Sequence, residues 1–233
     1  MTAGKVLLML REKTASPGWQ VTPRDVELLG WMGRHGVVTA EQVARRWFTR
    51  TNGSVGQRAA YDRLRKLQEL GLISRTPTFW KEPAVLRLTT VGCQLAGIEV
   101  LPARLVLPEV RHTLAVVDLM ERLLVENPGA RLLTERELRG QRHRGLQDGS
   151  RKSGKGRVPD GMLRLADGLT VAVELDLTSK RTRDIEQIVR AYSAERIEWV
   201  WWFCRSEEEA TRVRQAVRKE RADNLIDVQV WQP

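Results

Sequence analysis

The chain has 233 residues, 42% of them hydrophobic and 29% charged, which suits one large domain or two modest ones with buried cores. Its formal net charge of +10 favours a polyanionic partner, nucleic acid first among them. No apolar run is long enough to span a membrane, and Cys93 and Cys204 offer neither a disulfide framework nor metal-ligand spacing. A reducing cytoplasm is therefore the expected compartment.

The apolar stretch 6–10 is too short for a signal peptide and runs straight into Arg11-Glu12-Lys13. From 19 to 100 the pattern is mainly helical. Thr22-Pro23 marks a helix start, because Thr caps free amides and Pro is tolerated at the first helical position. Val26, Leu29 and Met32 recur at helical spacing, and Gly36 ends the run. Thr39 caps a second helix with Val43, Ala44 and Trp47 inward. After a loop holding Asn52-Gly53, a third helix covers 54–70 and stops at Gly71. Strands at 72–75 and 85–89 flank a tip at 76–83, and a short helix follows at 91–96.

Three helices and then a hairpin is the order of a winged helix-turn-helix. On the third helix Ala60, Leu64 and Leu67 share the inward face. Arg58, Asp62, Arg65 and Glu69 line the opposite face, flanked by Gln57 and Tyr61. The N-terminal residues of such a helix reach base edges in the major groove; Gln57 suits adenine and Arg58 guanine, with Tyr61 beside them. Arg65 is expected at a phosphate, and Arg75, Lys81 and Arg87 on or beside the wing are expected to grip the backbone. Trp80 at the tip either stacks on a base or sugar or packs on the first helix. Asp62 and Glu69 oppose DNA, and winged helices also mediate protein contacts.

Pro102 and Pro108 bracket a linker at 101–108, and a second domain spans 109–233. Its pattern predicts a helix at 109–126 and strands at 131–135, 161–165 and 169–175. A helix at 182–195, a strand at 199–204, a helix at 207–221 and a strand at 226–230 follow. The fold class is α/β with a central mixed sheet, α+β for the whole chain. Between 139 and 157 seven basic residues stand against one acid, Asp148, among many Gly and Ser. That composition predicts a mobile loop, with Arg142, Arg144, Arg151, Lys152, Lys155 and Arg157 contacting nucleic acid.

Asp160 precedes one strand, and Glu174 and Asp176 close the next, with a turn at Ala166-Asp167-Gly168 between them. A hairpin brings all three carboxylates to one end of the sheet. They repel one another unless something positive sits among them, and Mg²⁺ held by Asp160, Glu174 and Asp176 is one solution. His35, His112 and His143 lack Zn²⁺ ligand spacing, and the SGKG within 150–156 lacks P-loop spacing. No Ser or Cys nucleophile arrangement is present.

Pro159-Asp160 before one strand and Glu174 at the end of the next resemble the PD-(D/E)xK nuclease-like fold. The resemblance implies that Asp160 and Glu174 hold Mg²⁺, which would activate an attacking water. Asp176 stands where that family carries Lys; Lys180, four residues on, could reach in. A closer resemblance is to the replication-relaxation family of plasmids and integrative elements. It rests on 158–163, 173–179, Ile188 to Tyr192, the strand at 199–204, His112-Thr113-Leu114 and the N-terminal winged helix, whose stretches 61–73 and 86–92 resemble winged-helix regulators and accessory proteins of many families. It covers about residues 20 to 230.

That family implies a protein that binds double-stranded DNA in replication, relaxation or transfer of a mobile element. Its nuclease-like domain would be degenerate, and DNA binding would need no cofactor. Other replication or transfer proteins, and a second copy in a homodimer, are the expected protein partners. One rival is an active divalent-metal-dependent endonuclease using Asp160, Glu174, Asp176 and Lys180. The other is a winged-helix transcriptional regulator.

Overall fold

The computed structural model describes residues 20–99, 102–147, 157–195 and 197–232. The chain divides into two compact units, 1–117 and 118–233.

In the first unit, α1 (Pro23–His35) starts at Thr22, whose hydroxyl accepts from the Asp25 amide while the Asp25 carboxylate accepts from the Thr22 amide. Strand β1 (Val38–Thr39) leads into α2 (Ala40–Trp47), which Thr39 and Gln42 cap in the same reciprocal way. Helix α3 (Gln57–Glu69) precedes the hairpin β2 (Ile73–Thr76) and β3 (Val85–Leu88), and α4 (Thr90–Leu95) follows. The sheet order is β1-β3-β2, all antiparallel. This is the element order expected of the first half, with β1 added. Leu28, Leu29, Leu64, Leu67, Leu72 and Leu88 are among the residues that close the core.

Gly92 shows why the first turn of α4 carries a glycine: a Cβ there would stand 2.0 Å from the Leu72 carbonyl oxygen. The stretch at 102–108 is also tied down. Ala103 and Leu105 pack on Val37, Val85 and Val110, and Arg87 Nη1 donates to the Ala103 carbonyl at 3.0 Å.

The second unit opens within α5 (Val110–Glu126) and continues with β4 (Arg131–Thr134), α6 (Glu135–Gln147), β5 (Gly161–Arg164) and β6 (Thr170–Asp176). Helix α7 (Thr182–Ala194), β7 (Trp199–Cys204), α8 (Glu207–Lys219) and β8 (Ile226–Val230) complete it. One mixed sheet runs β4-β5-β6-β7-β8, antiparallel up to β6 and parallel beyond. Ala172, Val200, Trp202, Cys204, Ile226 and Val228 of the sheet pack with Ile185, Val189, Tyr192 and Val213 of α7 and α8.

One expectation is corrected. Residues 139–147, read as part of a mobile basic loop, belong to α6. The physical reason is a reciprocal cap: the Thr134 amide and hydroxyl both donate to Glu137 Oε2, and the Glu137 amide donates to Thr134 Oγ1. Arg139 then pairs with Glu135 one turn earlier. The rest of the expected loop, 148–156, lies outside the described residues.

Candidate functional site

Side chains alternate along β6, so Glu174 and Asp176 share the face that α7 and α8 cover, while Leu175 points the other way. Both acids are buried, Glu174 at 2% and Asp176 at 5% exposure. Antiparallel pairing of Gly161 with Val173 sets Asp160 beside Glu174. The three carboxylates thus reach one end of the sheet, as expected, and each meets a protein donor there.

Arg157 grips Glu174 with a fork: Nε donates to Oε1 at 2.9 Å and Nη2 to Oε2 at 2.7 Å. The Tyr192 hydroxyl donates to the same Oε1. The Arg157 backbone amide is anchored in turn on Glu195 Oε1 at 2.7 Å. Asp160 Oδ2 accepts the Leu175 amide at 2.8 Å. Asp176 pairs through Oδ1 with Lys180, and its Oδ2 accepts the Trp202 indole N–H at 3.2 Å.

Burial, then the charge of Asp160, raises the Glu174 carboxyl above its ordinary range despite Arg157 and Tyr192. Burial and the Glu174 charge push the Tyr192 phenol up, so it stays a donor. Burial opposes the charge on Arg157, but the bonds to Glu174 outweigh it and hold the guanidinium above its usual range. Lys180 is drawn down by burial, against the pull of Glu174 and Asp160.

These bonds bear on metal binding through the oxygens they occupy. Mg²⁺ needs carboxylate oxygens to coordinate. Both oxygens of Glu174 and both of Asp176 are already engaged, and one of Asp160. Among the described residues no three His, Cys, Asp or Glu side chains gather as a ligand set. The positive charge among the carboxylates here comes from Arg157 and Lys180.

On α3, Gln57 and Arg58 are exposed at the first turn, Arg58 with 96% of its side chain open. Asp62 lies between two arginines, 4.0 Å from Arg58 and 3.5 Å from Arg65. It offsets part of the positive charge on that face. The Tyr61 hydroxyl donates to Glu41 Oε1 at 2.7 Å, which ties α3 to α2. Arg75 and Lys81 are exposed, whereas Arg87 is half-buried and holds the Ala103 carbonyl and, at 3.5 Å, Thr76 Oγ1. Trp80 is 88% exposed and does not pack on α1. Arg142 is half-buried and Arg144 exposed on α6; Arg151, Lys152 and Lys155 lie outside the described residues.

Three roles escaped the sequence reading. Arg157, grouped with the basic loop, is the partner of Glu174. Tyr192 closes the same carboxylate. Arg63 grips Asp25 through two bonds, Nε to Oδ1 at 2.6 Å and Nη2 to Oδ2, and so locks the start of α1 to α3. A signal for the first existed: Glu174 sits in an apolar strand, where a buried carboxylate demands a cation. Arg157 is the nearest basic residue ahead of Asp160.

The family model described as replication-relaxation matches residues 29–198, a stretch holding most of the first unit and the whole carboxylate cluster. No curated protein and no solved structure matches the chain significantly.

Proposed function

Since the chain belongs to the replication-relaxation family, we propose that it binds double-stranded DNA in the replication or relaxation of a mobile element, and that its nuclease-like domain does not cut. Family membership supports the process. The mode of action rests on the residues.

The observation that carries the reading is a division among the basic side chains. Arg63, Arg157 and Lys180, with 22%, 30% and 28% of their side chains exposed, are spent on buried carboxylates. Arg58 and Arg65, at 96% and 65%, stand on the open face of α3, and Arg75 and Lys81 are exposed on the hairpin after it. In a winged helix these are the positions that meet base edges and phosphates. Binding through them releases counterions, so affinity falls steeply with salt. In the second unit the fork of Arg157 on Glu174 supports a domain that has kept the shape of a nuclease while its acids hold it together.

The test uses supercoiled plasmid with Mg²⁺, with Mn²⁺ and with EDTA, beside an Asp160→Ala/Glu174→Ala double variant. The expected outcome is a salt-dependent gel shift without nicking in any metal. Metal-dependent nicking that the double variant loses would make the protein an endonuclease and overturn the non-cutting part.

A further inference from the structure

The tip of the β2–β3 hairpin is held in an unusual way. The Glu82 amide donates to the Phe79 carbonyl at 3.2 Å, closing a turn with Trp80 and Lys81 at its centre. Lys81 takes φ 63, the left-handed conformation that such a turn usually gives to glycine. Both flanks of the turn are clamped by one side chain. The Arg111 guanidinium lies 5.1 Å from the centre of the Phe79 ring and pairs with Glu82 Oε1 at 2.6 Å. The chain thus fixes the residues on either side of Trp80 and Lys81 and leaves Trp80 88% exposed. A left-handed lysine and a clamped turn beside an exposed indole point to a role for that indole.

The surroundings favour one chemistry. Lys81 follows Trp80 in the turn and is exposed, and Arg75 is exposed on β2. An exposed aromatic plane on a hairpin that also carries exposed cations is suited to stacking a nucleobase while holding phosphates. In intact duplex each base face is covered by its neighbours, so an exposed face exists only where the strands are opened. Resting on the DNA-binding reading above, we infer that Trp80 stacks on an unpaired base, which makes locally opened DNA the preferred substrate. Arg111 holds the turn that carries the indole.

The full chain is titrated, by fluorescence anisotropy, with a labelled duplex and with the same duplex carrying a short central mismatch bubble. Wild type, Trp80→Ala and Trp80→Phe are compared at several salt concentrations. Wild type should prefer the bubble. Trp80→Ala should lose roughly 5- to 150-fold on the bubble, the usual worth of one stacked base, and stay within about twofold on intact duplex. Trp80→Phe should recover most of the loss, and the salt slope should not change, because no charge is removed. Equal binding of the two DNAs by wild type, or an equal loss on both in Trp80→Ala, overturns the inference and leaves duplex binding standing. A Trp80→Ala effect confined to self-association in sedimentation overturns it in favour of a protein contact. Absence of wild-type binding to any DNA overturns the proposed function as well.

Discussion

Replacing Arg157 with Ala isolates the energetics of the buried carboxylate. Glu174 is 2% exposed, and the substitution removes both bonds of the fork while the Tyr192 hydroxyl and the Leu175–Asp160 bond remain. Breaking a buried pair from one side costs about 3–5 kcal/mol. Glu174 limits that cost by taking a proton. Moving its carboxyl from an ordinary value of 4.5 to neutrality at pH 7 costs about 3.4 kcal/mol. Lys180 lies near enough to feel the Glu174 charge and offsets part of the rest. The expected loss is therefore about 2–3.4 kcal/mol at pH 7. The pH dependence has a definite sign: a carboxyl raised in the folded state binds protons more tightly than in the unfolded one. The penalty is then largest at neutral pH and shrinks by up to about 1.4 kcal/mol per pH unit towards 4.5. Urea unfolding of wild type and variant at pH 7, 6 and 5 measures this directly, and Arg157→Ala/Glu174→Gln should recover most of the loss. A penalty below about 1 kcal/mol at pH 7, or one that does not change with pH, would mean that Glu174 is solvated and that the fork is not what holds it.

Arg58→Ala and Arg65→Ala should each weaken duplex binding; if Arg65 neutralises a phosphate, its removal lowers the salt slope by about 1, which salt titrations resolve. His35, set edge-on to Trp31, is held down to about 3 by burial and then by Arg34 and Arg46. Its neutral form therefore supports the fold above about pH 6.5, and that support is lost as pH falls towards 3. Thermal melts of wild type should decline more steeply below pH 6.5 than those of His35→Gln, and parallel curves would count against the burial argument. Gly92→Ala would drive a Cβ into the Leu72 carbonyl and should cost at least about 1–3 kcal/mol by urea unfolding of the full chain.

Much of the fold could be read from local punctuation. Thr22-Pro23, Thr39, Gly36 and Gly71 mark helix ends that the structure keeps within a few residues, and the strands Trp199–Cys204 and Ile226–Val230 fall where the apolar runs lie. Helix α6 was hidden because its charges suggested solvent and its amphipathic pattern is faint. The clue was Thr134 with Glu137 three residues on, a spacing that caps a helix whatever follows. Strand β1 is two residues long, too short for any period. The carboxylates were found because hairpin geometry is local. Of their partners, Lys180 stands only four residues past Asp176 and was within reach of the reading; Arg157 and Tyr192 were not, because tertiary packing brings them to the site, and one-dimensional spacing cannot tell an arginine bound for a buried acid from one bound for a phosphate.

The packing around α5 bears on how the gene can be cut. Val110 and Val117, at 2% and 1% exposure, complete the first unit, and Gln42 Nε2 donates to the Leu114 carbonyl at 2.8 Å. Leu119, Met120 and Leu123 lie beyond the division and are buried as well. The residues that close the first unit therefore lie past the prolines at 102 and 108. A truncation ending at residue 100 would strip the first fragment of its closing valines, and one beginning at 118 would start inside a helix. Deletion mapping of this protein should carry α5 whole in both halves, or a missing activity will report a frayed core in place of an absent domain.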